Sequence, residues 1–151
     1  MRLFESRLRS DKNQAKALEL LHDQLQDYKA NFIRQAMLPL LRDVIDFHDF
    51  AAEESKRTNG STEDGSVDPQ SKAFDHLRQR IVDVLEKYDV EAYRIPGPEF
   101  DRRAQHCVRT LPTNDESDDK KVASVGPIGF RNADSIIRKE QVIVFKYAPG
   151  L

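Results

Sequence analysis

The sequence predicts an α+β protein in which long paired α-helices, forming a coiled coil and a four-helix bundle in a homodimer, precede a small C-terminal all-β domain. Two observations carry this reading. Apolar residues recur at helical spacing within the stretch from Leu18 to Tyr88, Asp89 ends the helix, and Val90 to Ile95 lead by alternating character into Pro96-Gly97-Pro98, where helix cannot continue. Beyond it come short runs rich in β-branched residues, ending in Val142-Ile143-Val144. Charged residues make up 33% of the chain, above the roughly one quarter of an average domain, which suits solvated helix surface.

Residues 1–52 are read as a long dimerisation helix. Leu18, Leu21, Leu25, Tyr28 and Phe32 alternate steps of three and four, a narrow seam of the kind that pairs two helices. The apolar face then widens through Ile33, Met37, Leu40, Leu41, Val44, Ile45 and His48, as in a bundle. A helix from about Asn13 to Ala52 would be ~60 Å long, roughly twice the span of a small domain, so a second copy is expected to cover its seam.

Residues 53–71 hold turn formers and almost no apolar side chain, and are expected to be a flexible connector. Residues 72–89 follow as a shorter bundle helix, with Phe74, Leu77, Ile81, Val84, Leu85 and Tyr88 on one face. The expected dimer interface is Leu18, Leu21, Leu25, Tyr28, Phe32, Leu40, Leu41, Val44, Leu77, Ile81, Val84 and Leu85. Residues 90–151 are the small β domain, with strands expected at 107–111, 122–125, 129–131 and 136–145.

Composition excludes several classes of function. Lys and Arg number 24 against 26 Asp and Glu, a formal charge of -2, so there is no basic field to gather nucleic acid. Cys107 is the one cysteine, which rules out an intrachain disulfide framework and fits a reducing, cytoplasmic compartment. The N-terminal residues place charges where a signal peptide needs an apolar core, and no run approaches the ~18 apolar residues of a membrane span. A soluble protein without membrane contact is expected.

Asp101, His106 and Cys107 lie close enough in sequence to raise a thiol or hydrolytic enzyme as an alternative. Neighbours on a strand point to opposite faces, so His106 and Cys107 would not share a hydrogen bond, and a half-buried structural thiol is the better reading. His22, His48, His76 and His106 show no metal-ligand spacing, so no metal or cofactor is expected. Gly126 and Gly129 lack the Lys-Ser/Thr pair of a phosphate loop and suit a turn instead.

From Leu38 to Val144 the chain resembles the GrpE family, nucleotide exchange factors of DnaK-type heat-shock chaperones. Leu38-Pro39-Leu40-Leu41 resembles its leucine-proline helix motif, and Val84-Leu85-Glu86-Lys87-Tyr88-Asp89-Val90 the end of its second helix. Phe100-Asp101 and Val108 resemble its first β motif; Gly129-Phe130-Arg131, Ile137-Arg138 and Val142-x-Val144 resemble its terminal signature. The resemblance implies a parallel homodimer that binds the chaperone ATPase domain, opens its cleft and accelerates ADP release without a catalytic residue. It assigns Val108, Gly129, Phe130, Arg131, Ile137 and Arg138 to the chaperone-binding unit, with Phe130, Val108 and Ile137 packing it. The family often has Pro where this chain has Arg102 and a basic residue where it has Ser135. Ser135 leaves a second reading open: a dimeric coiled-coil adaptor or scaffold with this fold and no exchange activity.

Overall fold

The computed structural model describes residues 1–60, 64–133 and 135–150. It divides into two compact units, Met1–Pro39 and Leu40–Leu151. The first unit is helical from Arg2 onward, being the N-terminal part of α1 (Arg2–Asn59). Its seam residues Leu18, Leu21, Leu25, Tyr28 and Phe32 are 49–68% exposed, so their own chain does not cover them.

In the second unit α1 turns a different face inward, burying Leu41, Ile45, His48, Ala51 and Ser55 in steps of three and four. The helix does not stop at Ala52. It runs on to Asn59 through residues the composition assigned to a connector. Two side-chain features hold these polar residues in helix. Arg57 bonds Glu54 one turn back at 2.8 Å, and the Thr58 hydroxyl donates to the Glu54 carbonyl at 2.9 Å. Ser55 is buried because it meets Ser71 of the next helix: the Ser71 hydroxyl donates to the Ser55 carbonyl at 3.0 Å, and the Ser55 hydroxyl to the Ser71 carbonyl at 3.2 Å. Small polar residues let the two backbones approach, a contact that apolar periodicity does not report.

Helix α2 spans Pro69–Glu86, starting earlier than the apolar pattern suggests. Asp68 caps it, its carboxylate accepting from the Gln70 amide at 2.9 Å, and Pro69 occupies the first turn, where no donor is needed. At the far end Asp89 takes the left-handed conformation, φ 61°, and the Val90 amide returns to the Leu85 carbonyl at 3.0 Å. Val90 is buried and leads directly into β1.

Among the described residues, six strands form two three-stranded sheets. One joins β1 (Glu91–Tyr93), β4 (Gly129–Arg131) and β5 (Ile136–Arg138) in the order β1-β4-β5, antiparallel throughout. The other has the order β2-β6-β3, with β2 (Gln105–Thr113) parallel to β6 (Glu140–Tyr147) and β3 (Val122–Val125) antiparallel to it. The expected single strand over 136–145 is therefore two strands in different sheets. The chain changes sheets at Lys139, between β5 and β6. Apolar alternation runs through both and gives no sign of the change. At the change Glu140 is fully buried: its amide donates to the Tyr93 hydroxyl of the first sheet at 3.3 Å, and its carboxylate accepts from Gln105 of the second at 2.7 Å.

Candidate functional site

Gly129, Phe130 and Arg131 on β4, with Ile137 and Arg138 on β5, lie together in the first sheet; Val108 lies apart, at a register shift in β2. The six residues divide by accessibility. Phe130 is 0% exposed and Ile137 is buried, so both are core of the β unit. Val108 is half-exposed, and Arg131 is exposed.

Gly129 pairs with Tyr93 across the β1/β4 ladder, and a Cβ at Gly129 would come within 2.3 Å of the Tyr93 ring, at its hydroxyl end. Glycine is there because an aromatic ring lies over its Cα. The ring is fixed at its far end: the hydroxyl donates to the Ala104 carbonyl at 2.5 Å and accepts from the Glu140 amide at 3.3 Å. Burial raises the Tyr93 pKa above its ordinary value, with the Glu140 and Asp101 charges adding to it against the Glu140 amide and Arg131. Arg131, two residues along β4, holds its guanidinium 5.0 Å from the ring centroid and bonds Glu91 at 2.7 Å.

Arg138 reaches the other way, to helix α1. Its guanidinium forks onto Asp49, Nη1 to Oδ2 and Nη2 to Oδ1 at 3.0 Å, while Nη2 also donates to the Ile128 carbonyl at 2.5 Å. The Asp49 carboxylate also takes His48 Nδ1 at 3.2 Å. Burial would push the Asp49 carboxyl up, but the hydrogen bonds of His48 and Arg138 and the positive charge of Arg138 outweigh it and leave the pKa lowered. Phe130 completes the cluster, 5.2 Å edge-on to the His48 ring and 5.4 Å beneath the Arg138 guanidinium.

A second buried network holds the two sheets together. Glu140 accepts from Gln105 Nε2 at 2.7 Å, Arg94 Nη1 at 2.9 Å and the Ile95 amide at 3.3 Å. Gln105 in turn accepts from the Asp101 amide at 2.9 Å, and Asp101 caps the Arg103 amide at 2.9 Å. Phe100-Asp101 thus leads into a turn over residues 102–104 that delivers Gln105 inward. Cys107 and His106 do not combine: the Cys107 thiol lies against the Arg109 carbonyl at 3.2 Å, while Cys107 and His106 pair with successive residues of β6, Val142 and Gln141.

The sequence reading missed His48 and Asp49 as partners of the β unit, and Tyr93, Gln105 and Glu140 as its internal anchors. It also missed the exposed apolar residues Leu111 on β2 and Val125 on β3, which belong to the same sheet as Val108.

A family model of GrpE matches residues 4–146, spanning all but the first two residues of α1, the whole of α2, and all but the last residue of β6. The chain belongs to the GrpE family. GrpE proteins are co-chaperones, nucleotide exchange factors that partner the ATPase domain of DnaK-type chaperones as homodimers in the stress response. The match takes in every residue of the candidate site. Among the described residues, no helix is long and apolar enough to cross a membrane.

Proposed function

We propose that this chain is a homodimeric, cytoplasmic exchange factor that binds the ATPase domain of a DnaK-type chaperone, opens its cleft and accelerates ADP release. The observation that carries the reading is the family match across residues 4–146, which takes in helices and β unit alike. Exposed apolar surface supports the homodimer. The seam from Leu18 to Phe32 is bare, and Val44, Phe47, Phe50, Leu77 and Ile81 line an apolar groove on the helical part of the second unit. A second copy accounts for both. Leu40 and Val84 are exposed and suit the same interface, whereas Leu41 and Leu85 are covered by their own protomer.

Within the β unit we assign direct contact to Val108 and Arg131, which reach solvent, and a shaping role to Gly129, Phe130, Ile137 and Arg138, which do not reach it freely. The mechanism needs no catalytic group. A protein that binds the open-cleft form of a nucleotide-binding domain better than the closed form weakens ADP by the same factor, because coupling between two ligands is reciprocal. Moving that cleft from a 1:99 to a 99:1 population takes about 5.5 kcal/mol of differential affinity, within reach of a packed interface.

Stopped-flow release of fluorescent ADP from the chaperone tests this. Acceleration that saturates with added protein is the expected result. Binding without acceleration would leave a coiled-coil adaptor of the same fold.

A further inference from the structure

Arg131 on β4 stands opposite Glu91 on β1, two residues along the ladder from the Gly129/Tyr93 pair and therefore on the same face. Because Gly129 has no side chain, the Tyr93 ring occupies that face, and the Arg131 guanidinium lies over it, 5.0 Å from the centroid. The ring is a fixed platform, its hydroxyl held by the Ala104 carbonyl and the Glu140 amide. Arg131 Nε donates to Glu91 Oε1 at 2.7 Å. The two side chains remain 46% and 62% exposed, and so open an ion pair adds little to stability. What it fixes is direction. Glu91 takes Nε, and the two Nη groups are engaged by no other group among the described residues.

We propose that Arg131 is a preset receptor for a carboxylate: Tyr93 and Glu91 hold its guanidinium so that the paired Nη groups take an acidic side chain of the chaperone ATPase domain. The assignment rests on the exchange-factor reading and adds the chemistry of one contact. An unsupported arginine loses its rotamer freedom when it docks, whereas here the ladder, the ring and the Nε bond have removed much of that freedom beforehand. Two parallel N–H groups match the two oxygens of a carboxylate, which a point charge does not select for. Ile136, the partner of Arg131 across the β4/β5 ladder, is exposed and adds apolar contact surface. Glu91 is a positioning residue, acting through Arg131. Its own charge repels an incoming carboxylate, so its two effects oppose each other and can be separated.

Titration of the ATPase domain with the full chain tests the contact, with stopped-flow ADP release followed on the same samples. Arg131→Lys keeps the charge but loses the fork, and is expected to bind about tenfold more weakly. Glu91→Ala should bind about threefold more weakly than Glu91→Gln, which keeps an acceptor for Nε without the repelling charge. Arg131→Lys binding as tightly as the wild type, with wild-type release still accelerated, would overturn the contact and leave the exchange reading intact. Wild-type binding without acceleration would overturn the exchange reading alone, the lysine comparison still deciding the contact; absence of binding would overturn both. Equal affinities of Glu91→Ala and Glu91→Gln would remove the positioning role. Nitrogen-15 relaxation of the Arg131 Nε–H in the free chain reads the presetting without the chaperone: order close to that of the strand backbone supports it, and free side-chain motion overturns it.

Discussion

The ring of Tyr93 lies over the Cα of Gly129, its partner across the β1/β4 ladder, where a side chain of any size would collide with it. The ring cannot simply swing aside, because its hydroxyl is held by the Ala104 carbonyl and the Glu140 amide. Gly129→Ala is therefore expected to destabilise the β unit by about 1–3 kcal/mol, the usual cost of overpacking, measured by urea denaturation. Tyr93→Ala removes the obstacle, so the double variant should be more stable than the sum of the single losses indicates. Strict additivity would mean that ring and glycine do not meet.

Asp49 and Arg138 provide a prediction with a definite pH window. Asp49→Asn leaves Arg138 with half its fork and is expected to cost about 2 kcal/mol at neutral pH, between the value of an exposed pair and that of a buried one. The Asp49 pKa is depressed in the folded state below the ordinary carboxylate value. Its contribution is thus fully present above that ordinary value and is lost as pH falls through the lower folded value. The stability gap between wild type and Asp49→Asn should stay constant from neutral pH down to about pH 5 and close only in stronger acid. A gap that closed near pH 6 would point to a group other than this carboxylate.

Glu140 is the test of how the two sheets are joined. Its carboxylate is 0% exposed and accepts from Gln105, Arg94 and the Ile95 amide. Glu140→Ala strands all three donors and is expected to cost about 3 kcal/mol, with amide protection falling first in β5 and β6. Glu140→Gln keeps the shape but sets its amide N–H against other donors, and should recover only part of the loss. Full stability in Glu140→Ala would show that the sheets do not depend on this network.

Much of this architecture was legible in the sequence, for reasons particular to each part. The helical seam is periodic, and Pro96-Gly97-Pro98 rules out a further helix, although the switch to strand comes earlier, after the turn at Asp89, with β1 over Glu91–Tyr93. The end of α1 was not legible, since Ser55 and Thr58 resemble loop residues until Ser71 and the Glu54 carbonyl are beside them. Nor was the break at Lys139, because β-branched alternation does not say which sheet a strand joins. Of the candidate site, the sequence names Arg138 and Phe130, but the partners the fold gives them, His48 and Asp49, lie in a distant stretch read as a bundle face. Pairings across such a separation leave no local pattern.

The seam of the first unit makes a prediction about mass. Leu21 and Leu25 are 61% and 49% exposed in the single chain. Replacing both with Lys sets like charges against their counterparts in a paired coil, and sedimentation should return a monomer with the helical content of the second unit retained. An unchanged dimer mass would move the interface away from this seam.

The sharpest test of the β unit compares residues that its folding has sorted into surface and core. Val108 is half-exposed at a strand irregularity and Arg131 is exposed, so Val108→Asp and Arg131→Glu should each leave the unfolding midpoint within about 0.5 kcal/mol of wild type. If these residues touch the chaperone, each should slow ADP release at least tenfold at subsaturating protein, a loss of about 1.4 kcal/mol in binding. Arg131→Glu also sets a second carboxylate beside Glu91, so any small stability loss should disappear in the Glu91→Lys background, while a chaperone contact would not be restored by that reversal. Phe130→Ala behaves differently. Phe130 is 0% exposed, and its removal should cost about 3–5 kcal/mol of stability, with exchange activity lost in proportion to the unfolded fraction. A stable Phe130→Ala protein that no longer accelerates release would contradict this division, because a residue sealed in the core would then be reaching the partner.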